Sequence, residues 1–496
     1  LRWFTLGAIY LLLSLISVPV AALTDTQVLL AADRGRVCPQ NLSAAINKII
    51  ARPKIARSHW GIIVQTLDSQ HTLYSRHANK FFIPASTTKL FTTAAALIEL
   101  GVNYRIHTPI FGLGNPPNLT YLRLEGRGDP TISSISLKKI VHLLRARGIE
   151  RIENLILEDS YFTLEAINPT WEWSDVYSYY GTAVNSAILN ENSVTLTLLP
   201  QHVGQKVKLR WSDAIAARQW QVENNAVTAP KDTPYNINIA GVLGKPVLNV
   251  RGELAIDEPP DVWDLAIADP PQYFLETWRH LLTVEGIDVA KTTVSNSRAK
   301  NILEREITAI VSPPLTEIIT TINRESNNLY AESLWRILER RHHNLKTNPI
   351  EFGLNKLGIE PHNYQLIDGS GLSRHNLITP QAVVDVLFVM SRSHLFTSYK
   401  NSLAVAGTNG TLKRRFQHTP IQNKLWGKTG TLSGVAALSG YLYLSRYQPL
   451  VFTIIVNNSE RASKELRQAI DEIVLLLGQL QKCQTTSEGY YLKASS

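Results

Sequence analysis

The sequence predicts a mixed α/β protein in which one domain is split by a large inserted domain. Three observations lead there. Strand-like alternation stands near both ends of the chain, with long helical patterns between. Between about 107 and 306 the texture changes to shorter strands and helices with Pro and Gly between them. The chain is 496 residues long, too many for one compact core, so two or three domains are expected. The expected boundaries are a leader at 1–22, a split domain at 23–106 and 307–496, and an insert at 107–306 with a β-rich part near 190–255.

The opening LRWFTLGAIYLLLSLISVPVAA has one positive charge, Arg2, then an apolar run from Phe4 to Val18, then Val20-Ala21-Ala22. A basic start, an apolar core and a small-x-small end are the plan of a cleaved secretory signal. An uncleaved membrane anchor is the alternative, and both place the rest of the chain outside the cytoplasm. Hydrophobic residues make up 44% and charged residues 18%, an ordinary globular balance. The formal charge is +9. No dense Lys/Arg run supports nucleic acid; a mildly basic surface suits loose association with an anionic wall or membrane.

The two cysteines, Cys38 and Cys483, each lie beside an amphipathic segment. NLSAAINKII (41–50) puts Leu42, Ala45, Ile46, Ile49 and Ile50 on one face, and KELRQAIDEIVLLLGQL (464–480) does the same with Leu466, Ala469, Ile470, Ile473, Leu477 and Leu480. If these helices pack side by side the cysteines can bridge; otherwise they are free thiols.

From His59, WGIIVQTLDSQHTLYS reads as two strands around a turn at Asp68-Ser69. Pro84 breaks the next strand, and KLFTTAAALIELG runs as a helix to Gly101, so Ser86 stands at or next to a helix start. In the insert, SLKKIVHLLRARG and FLETWRHLLTVEG read as helices, IENLILEDSYF as a buried strand running into a polar loop, and SVTLTLLP, KVKLRW and PVLNVRGEL as strands. From 307, PLTEIITTINRESNNLYAESLWRILERR and TPQAVVDVLFVMSRS read as long helices, followed by a Gly-rich turn around WGKTGTLSG and a strand pair, VAALSGYLYLS and PLVFTIIVNN.

Three short motifs carry the chemistry. Ser86 and Lys89 stand three apart in PASTTKLFTT, on nearly the same helix face. The same pair recurs as Ser136/Lys139 and Ser297/Lys300, but neither opens a helix after a strand and a Pro break. Ser326-Asn327-Asn328 and Lys428-Thr429-Gly430 follow in that order. Together they match the Ser-x-x-Lys, Ser-x-Asn and Lys-Thr-Gly set of penicillin-binding proteins and class A β-lactamases. A serine hydroxyl needs a base, and a lysine serves only without its proton; burial and a second cation, which Lys428 could supply, can lower its pKa toward neutrality.

With PASTTKLFTT, GRGDPT, LEDSYF, SPPL, SNNLYAE, DGSGLSR, AGTNGTLKRR and KTGTLSGVAALSGY, the chain resembles the low-molecular-mass (class C) penicillin-binding proteins of the D-alanyl-D-alanine carboxypeptidase/endopeptidase type, peptidase family S13. The long insert between the first and second motifs is also like that family, and β-lactamases lack it. The resemblance implies a β-lactamase/DD-peptidase fold, with an antiparallel sheet flanked by helices. It implies a periplasmic or cell-envelope enzyme that cleaves peptidoglycan stem peptides through an acyl-enzyme on Ser86 and is inhibited by β-lactams. The catalytic set it implies is Ser86, Lys89, Ser326 and Lys428. Asn328, Thr429, Gly430 and Thr431 would bind substrate, and the backbone N–H groups of Ser86 and Thr431 would form the oxyanion hole.

Arg374 is a candidate grip on the side-chain carboxylate of diaminopimelate, against a structural ion pair. Asp368 is expected to shape the turn around Gly369 and Gly371. Glu158 and Asp159 are candidates for the amine of the same stem residue, against a loop cap. Ser433 stands where some relatives carry a larger polar residue. The aromatic run NPTWEWSDVYSYYGT (168–182) reads as core or loop stiffening. No cofactor or metal is needed: no His-Glu-x-x-His occurs and the cysteines lie far apart in sequence. The competing functions are a serine β-lactamase and a non-catalytic peptidoglycan-binding protein.

Overall fold

The structure, a computed structural model, describes residues 36–297, 303–342 and 348–483. The expected leader and Lys300 lie outside them. Six strands form one antiparallel sheet: β1 (His59–Thr66), β2 (Thr72–Arg76), β3 (Ala404–Val405), β4 (Leu425–Leu432), β5 (Val435–Leu442) and β6 (Leu450–Asn457). Their order is β3-β4-β5-β6-β1-β2. The strand next to β1 is therefore drawn from the far end of the sequence, and His59 pairs with Asn457.

Both faces of this sheet are buried, because apolar residues occupy successive positions rather than every second one. On one face Ile63, Ala437, Tyr441, Val451 and Ile455 pack against α2 (Lys89–Leu100), α3 (Leu315–Arg324), α4 (Asn328–Arg341) and α5 (Pro380–Arg392). On the other face Ile62, Val64, Leu438, Phe452, Ile454 and Val456 pack against α1 (Pro39–Ile50) and α6 (Ser463–Gly478).

The expected amphipathic faces of α1 and α6 meet: Leu42, Ile46, Ile470 and Ile473 share one cluster. Beside it Cys38 and Cys483 form a disulfide, with Cα atoms 5.7 Å apart.

The expected continuous helix through 325–327 is broken. Glu325 ends α3, Ser326 takes a left-handed φ of 64°, and Asn327 caps α4 by accepting from the Tyr330 N–H at 3.1 Å. The expected Gly-rich turn around Lys428 is instead strand β4.

Residues from His107 to Val311 form a second body. A five-stranded sheet runs in the order Asp288–Ser295, Arg151–Glu158, Asn118–Glu125, His107–Asn115, Arg305–Val311. Helices Ser134–Ala146 and Pro270–Val284 share its core. The entering strand, His107–Asn115, pairs antiparallel with the leaving strand, Arg305–Val311. Entry and exit are thus neighbours, and the leaving strand runs a few residues past the boundary expected at 306. Two three-stranded sheets, built from strands between Ser193 and Ala266, complete this body.

A covalent tie between residues 445 apart removes much freedom from the unfolded chain. Cys38→Ser is expected to lower stability by about 2–5 kcal/mol, read as a lower urea midpoint under non-reducing conditions. Equal midpoints for the variant and the oxidised protein would show that the bridge contributes nothing.

Candidate active site

Ser86 sits in a 3₁₀ turn, Ala85–Thr88, that leads directly into α2. Thr87 and Thr88 do not cap the helix; their hydroxyls bond back to the Pro84 and Ala85 carbonyls at 2.7 and 3.0 Å. Ala85 is held at φ 49°, a left-handed conformation that costs a non-glycine residue about 1 kcal/mol or more. Two glycines let the neighbouring segments close on this turn. A Cβ on Gly371 would lie 1.9 Å from the Ala85 carbonyl oxygen, and one on Gly430 would lie 2.9 Å from that of Pro84 and 3.2 Å from the Ser86 nitrogen.

Lys89, wholly buried, is the junction. Its Nζ lies 2.9 Å from Ser86 Oγ, 2.6 Å from Asn328 Oδ1 and 2.7 Å from the Ser370 carbonyl. The two carbonyl oxygens can only accept. A neutral amine has two N–H bonds for them and one lone pair, which then faces the serine hydroxyl. Burial lowers the Lys89 pKa to about 7, against the pull of the Asp368 and Glu332 carboxylates.

Those carboxylates hold the turn that supplies Ser370. Asp368 accepts from the Gly371 N–H at 2.7 Å, the Ser373 N–H at 2.6 Å and Trp171 Nε1 at 3.0 Å. Glu332 accepts from the Ser370 N–H at 2.7 Å. Burial first, and then the Asp368 charge, push the Glu332 carboxyl up to about 7.

Lys428, also buried, donates to Ser326 Oγ at 2.8 Å and to the Thr429 carbonyl at 2.9 Å. Its pKa is held well below the usual lysine range, first by burial and then by the charge on Lys89. The expected lowering by burial is found at Lys89, while the push between the two amines falls on Lys428. Beyond Gly427, β4 has no partner strand on its β3 side among the described residues. This leaves the edge from Lys428 to Leu432 open.

Ser86, Ser326, Asn328, Thr429 and Thr431 line one cavity of about 1230 Å³. Its other walls were largely hidden in the sequence. The 168–182 run, read as core or stiffening, contributes Glu172, Asp175, Tyr179 and Tyr180; only Trp171 of its tryptophans is buried. Arg414, Arg415, Lys464 and Arg467 form a basic flank, with Arg415 paired to Asp471 at 3.0 Å. Arg374 lines the cavity, donates to the Ser433 carbonyl at 3.0 Å and lies 3.8 Å from Glu172.

Glu158 and Asp159 do not line it. Glu158 is buried against Arg123 and accepts from Ser160 Oγ at 2.8 Å. Asp159 accepts from the Ala187 N–H at 2.9 Å and from Asn185 Nδ2 at 3.2 Å. Asp159 thus takes the loop-cap alternative, while Glu158, at the end of the strand Arg151–Glu158, is held in an ion pair with Arg123. No spacing signal could have pointed to Glu172 and Asp175 in their place, since only tertiary packing brings that loop over the cleft.

The sequence profile of the D-Ala-D-Ala carboxypeptidase 3 (S13) family matches residues 42–476. The chain is 26% identical over 489 residues to the penicillin-sensitive carboxypeptidase A of Dictyostelium discoideum, covering 90% of this chain and 93% of that one. It is 29% identical over 420 residues to the D-alanyl-D-alanine carboxypeptidase of Actinomadura sp. (strain R39), covering 80% and 77%. Its fold is similar to that of penicillin binding protein 4 from Haemophilus influenzae, with a TM-score of 0.77 at 23% identity over 88% of this chain and 99% of that one.

If Lys89 serves as the expected base, it works only without its proton, and burial sets its pKa near neutrality. Acylation of Ser86 by a penicillin is therefore expected to be slow at about pH 5, half-maximal near about 7 and level above about pH 8. A flat profile across this range would mean that Lys89 is not the group titrating.

Proposed function

The chain belongs to the D-Ala-D-Ala carboxypeptidase 3 (S13) family, and from that premise we propose that it hydrolyses peptidoglycan stem peptides through an acyl-enzyme on Ser86. It is a serine-type hydrolase acting on D-alanyl-D-alanine ends and, in the endopeptidase mode, on the crosslinks between stems. The supporting observation is the paired hydrogen-bond set of Asn328–Lys89–Ser86 and Ser326–Lys428, opening on one cavity.

In this reading neutral Lys89 takes the proton from Ser86 as its oxygen attacks the penultimate D-alanine carbonyl. The backbone N–H groups of Ser86 and Thr431 stabilise the oxyanion. The Ser326 hydroxyl passes a proton to the leaving amine and regains one from protonated Lys89; water then attacks the acyl group, giving its proton to neutral Lys89, which returns it to Ser86 as the acid leaves. Lys428, Thr429 and Thr431 hold the terminal carboxylate, whose charge favours a protonated Lys428.

At the Ser433 end, Arg374 stands beside the carboxylates of Glu172 and Asp175. A cation next to two anions suits a zwitterionic side chain such as that of diaminopimelate, with Arg374 gripping its carboxylate and the acids its amine. β-Lactams acylate the same hydroxyl, in keeping with the penicillin sensitivity in the Dictyostelium relative's name. The apolar leader expected at 1–22 and the basic charge support a location in the cell envelope.

Ser86→Ala is expected to abolish both D-alanine release and labelling by a fluorescent penicillin; labelling that persists would remove Ser86 from its role. A stable adduct on the unmodified protein is the peptidase outcome, and rapid turnover the β-lactamase one. Lys428→Ala is expected to slow hydrolysis of substrates with a free terminal carboxylate at least about tenfold more than their amides. Equal losses on both would contradict the proposed carboxylate contact.

A further inference from the structure

The inserted body does more than roof the cleft. It grips the break between α3 and α4 at three successive residues. Glu191 Oε2 accepts from Asn327 Nδ2 at 2.7 Å, and the Tyr180 carbonyl accepts from Asn328 Nδ2 at 2.8 Å. Leu329 packs with Trp171, Val184 and Ile188 of the insert and with Leu372. Each asparagine amide is therefore shared between the two bodies. Asn327 turns its oxygen to the α4 cap and its nitrogen to Glu191. Asn328 turns its oxygen to Lys89 and its nitrogen to Tyr180.

The segment that carries Glu191 is built to aim it. Asn190, Glu191 and Asn192 take φ values of 50°, 56° and 47°, three left-handed residues in a row with no glycine among them. Such a run persists only where its surroundings over-determine it. Asn190 is fixed by Ser134 and Tyr273, at 2.8 and 2.7 Å from its Nδ2. Asn192 is fixed by the Ala183 carbonyl at 3.0 Å and Asn185 Oδ1 at 2.8 Å. Both flanking side chains point into the insert, and the middle one crosses to the peptidase body.

We propose that Glu191 is a positioning residue for acylation: by holding Asn327 from the inserted body it fixes the left-handed Ser326 and the adjoining Asn328 where Lys428 and Lys89 need them. This rests on the roles given to Ser86, Lys89 and Ser326 above. It makes the insert part of the catalytic frame as well as a wall for substrate.

The test measures penicillin acylation rates, and kcat and KM on a D-alanyl-D-alanine peptide, in the full chain. Glu191→Ala is expected to slow acylation on the order of ten- to hundred-fold, the loss typical of a small misplacement, with KM changed by less than about threefold. Glu191→Gln keeps an acceptor oxygen for Asn327 and is expected to stay within about threefold of the unmodified rate. Asn327→Asp keeps the α4 cap but sets carboxylate against carboxylate, so it slows acylation. Adding Glu191→Gln to Asn327→Asp restores a donor–acceptor pair and the rate.

Wild-type acylation by Glu191→Ala, a Gln variant as slow as the Ala variant, a loss carried by KM alone, or a double variant no faster than Asn327→Asp would each overturn the proposal. Should Glu191→Ala fail to fold, the Asn327→Asp pair decides. The peptidase reading is checked apart from this, by whether the unmodified protein labels at all.

Discussion

The site depends on a lysine that has been taken out of water. Burying an amine is costly unless every polar valence is met, and Lys89 is met by three segments that are remote in sequence: the Ser86 turn, the Ser326–Asn328 break and the turn at Ser370. The same burial moves its proton equilibrium to the neutral range. Packing and chemistry therefore share one cause. A change that wets Lys89 returns it to an ammonium and, on the proposed mechanism, removes the base.

Everything that brings those segments together follows from that demand. The turn at Ser370 is held by Asp368 and Glu332, two buried carboxylates that work against the lowering of the Lys89 pKa. Their cost is accepted because they donate no flexibility: each fixes backbone N–H groups that no helix or sheet satisfies. Gly371 and Gly430 let two backbones approach the Ser86 turn more closely than any side chain would allow. The split sheet does the rest. By pairing β1 with β6 it places the N-terminal strand in the same sheet as β4, and the Ser86 turn that follows reaches back to Gly430 of that strand.

Much of this was legible in the sequence. The motif residues, the split sheet strands and the amphipathic faces of α1 and α6 are local patterns, and local patterns survive folding. What was not legible depends on contacts across bodies. The segment 315–341 has a helical period throughout, and nothing in that period reveals that Ser326 turns left-handed. The Lys428 strand reads as a turn because Gly427, Gly430 and Gly434 dominate it, yet two of these glycines serve close approach inside or beside a strand. Glu158 and Asp159 were candidates for the amine of the stem residue, but Arg123 holds the first, and the Asn185 amide and Ala187 N–H hold the second. Glu172, Asp175 and Glu191 give no signal of their own, because their neighbours lie in another body.

The order of the two lysine shifts bears on how the base stays ready through a catalytic cycle. Burial lowers the pKa of both amines, and Lys428 also feels the Lys89 charge. A terminal carboxylate arriving beside Lys428 favours its protonated form. The resulting ammonium and carboxylate then form a near-neutral pair, whose field at Lys89 largely cancels. Lys89 is left governed by what governed it before, its burial. On the proposed mechanism the activation of Ser86 is therefore built into the resting fold rather than induced by substrate. A β-lactam, which matches only part of a stem peptide, would then meet a nucleophile that is already prepared.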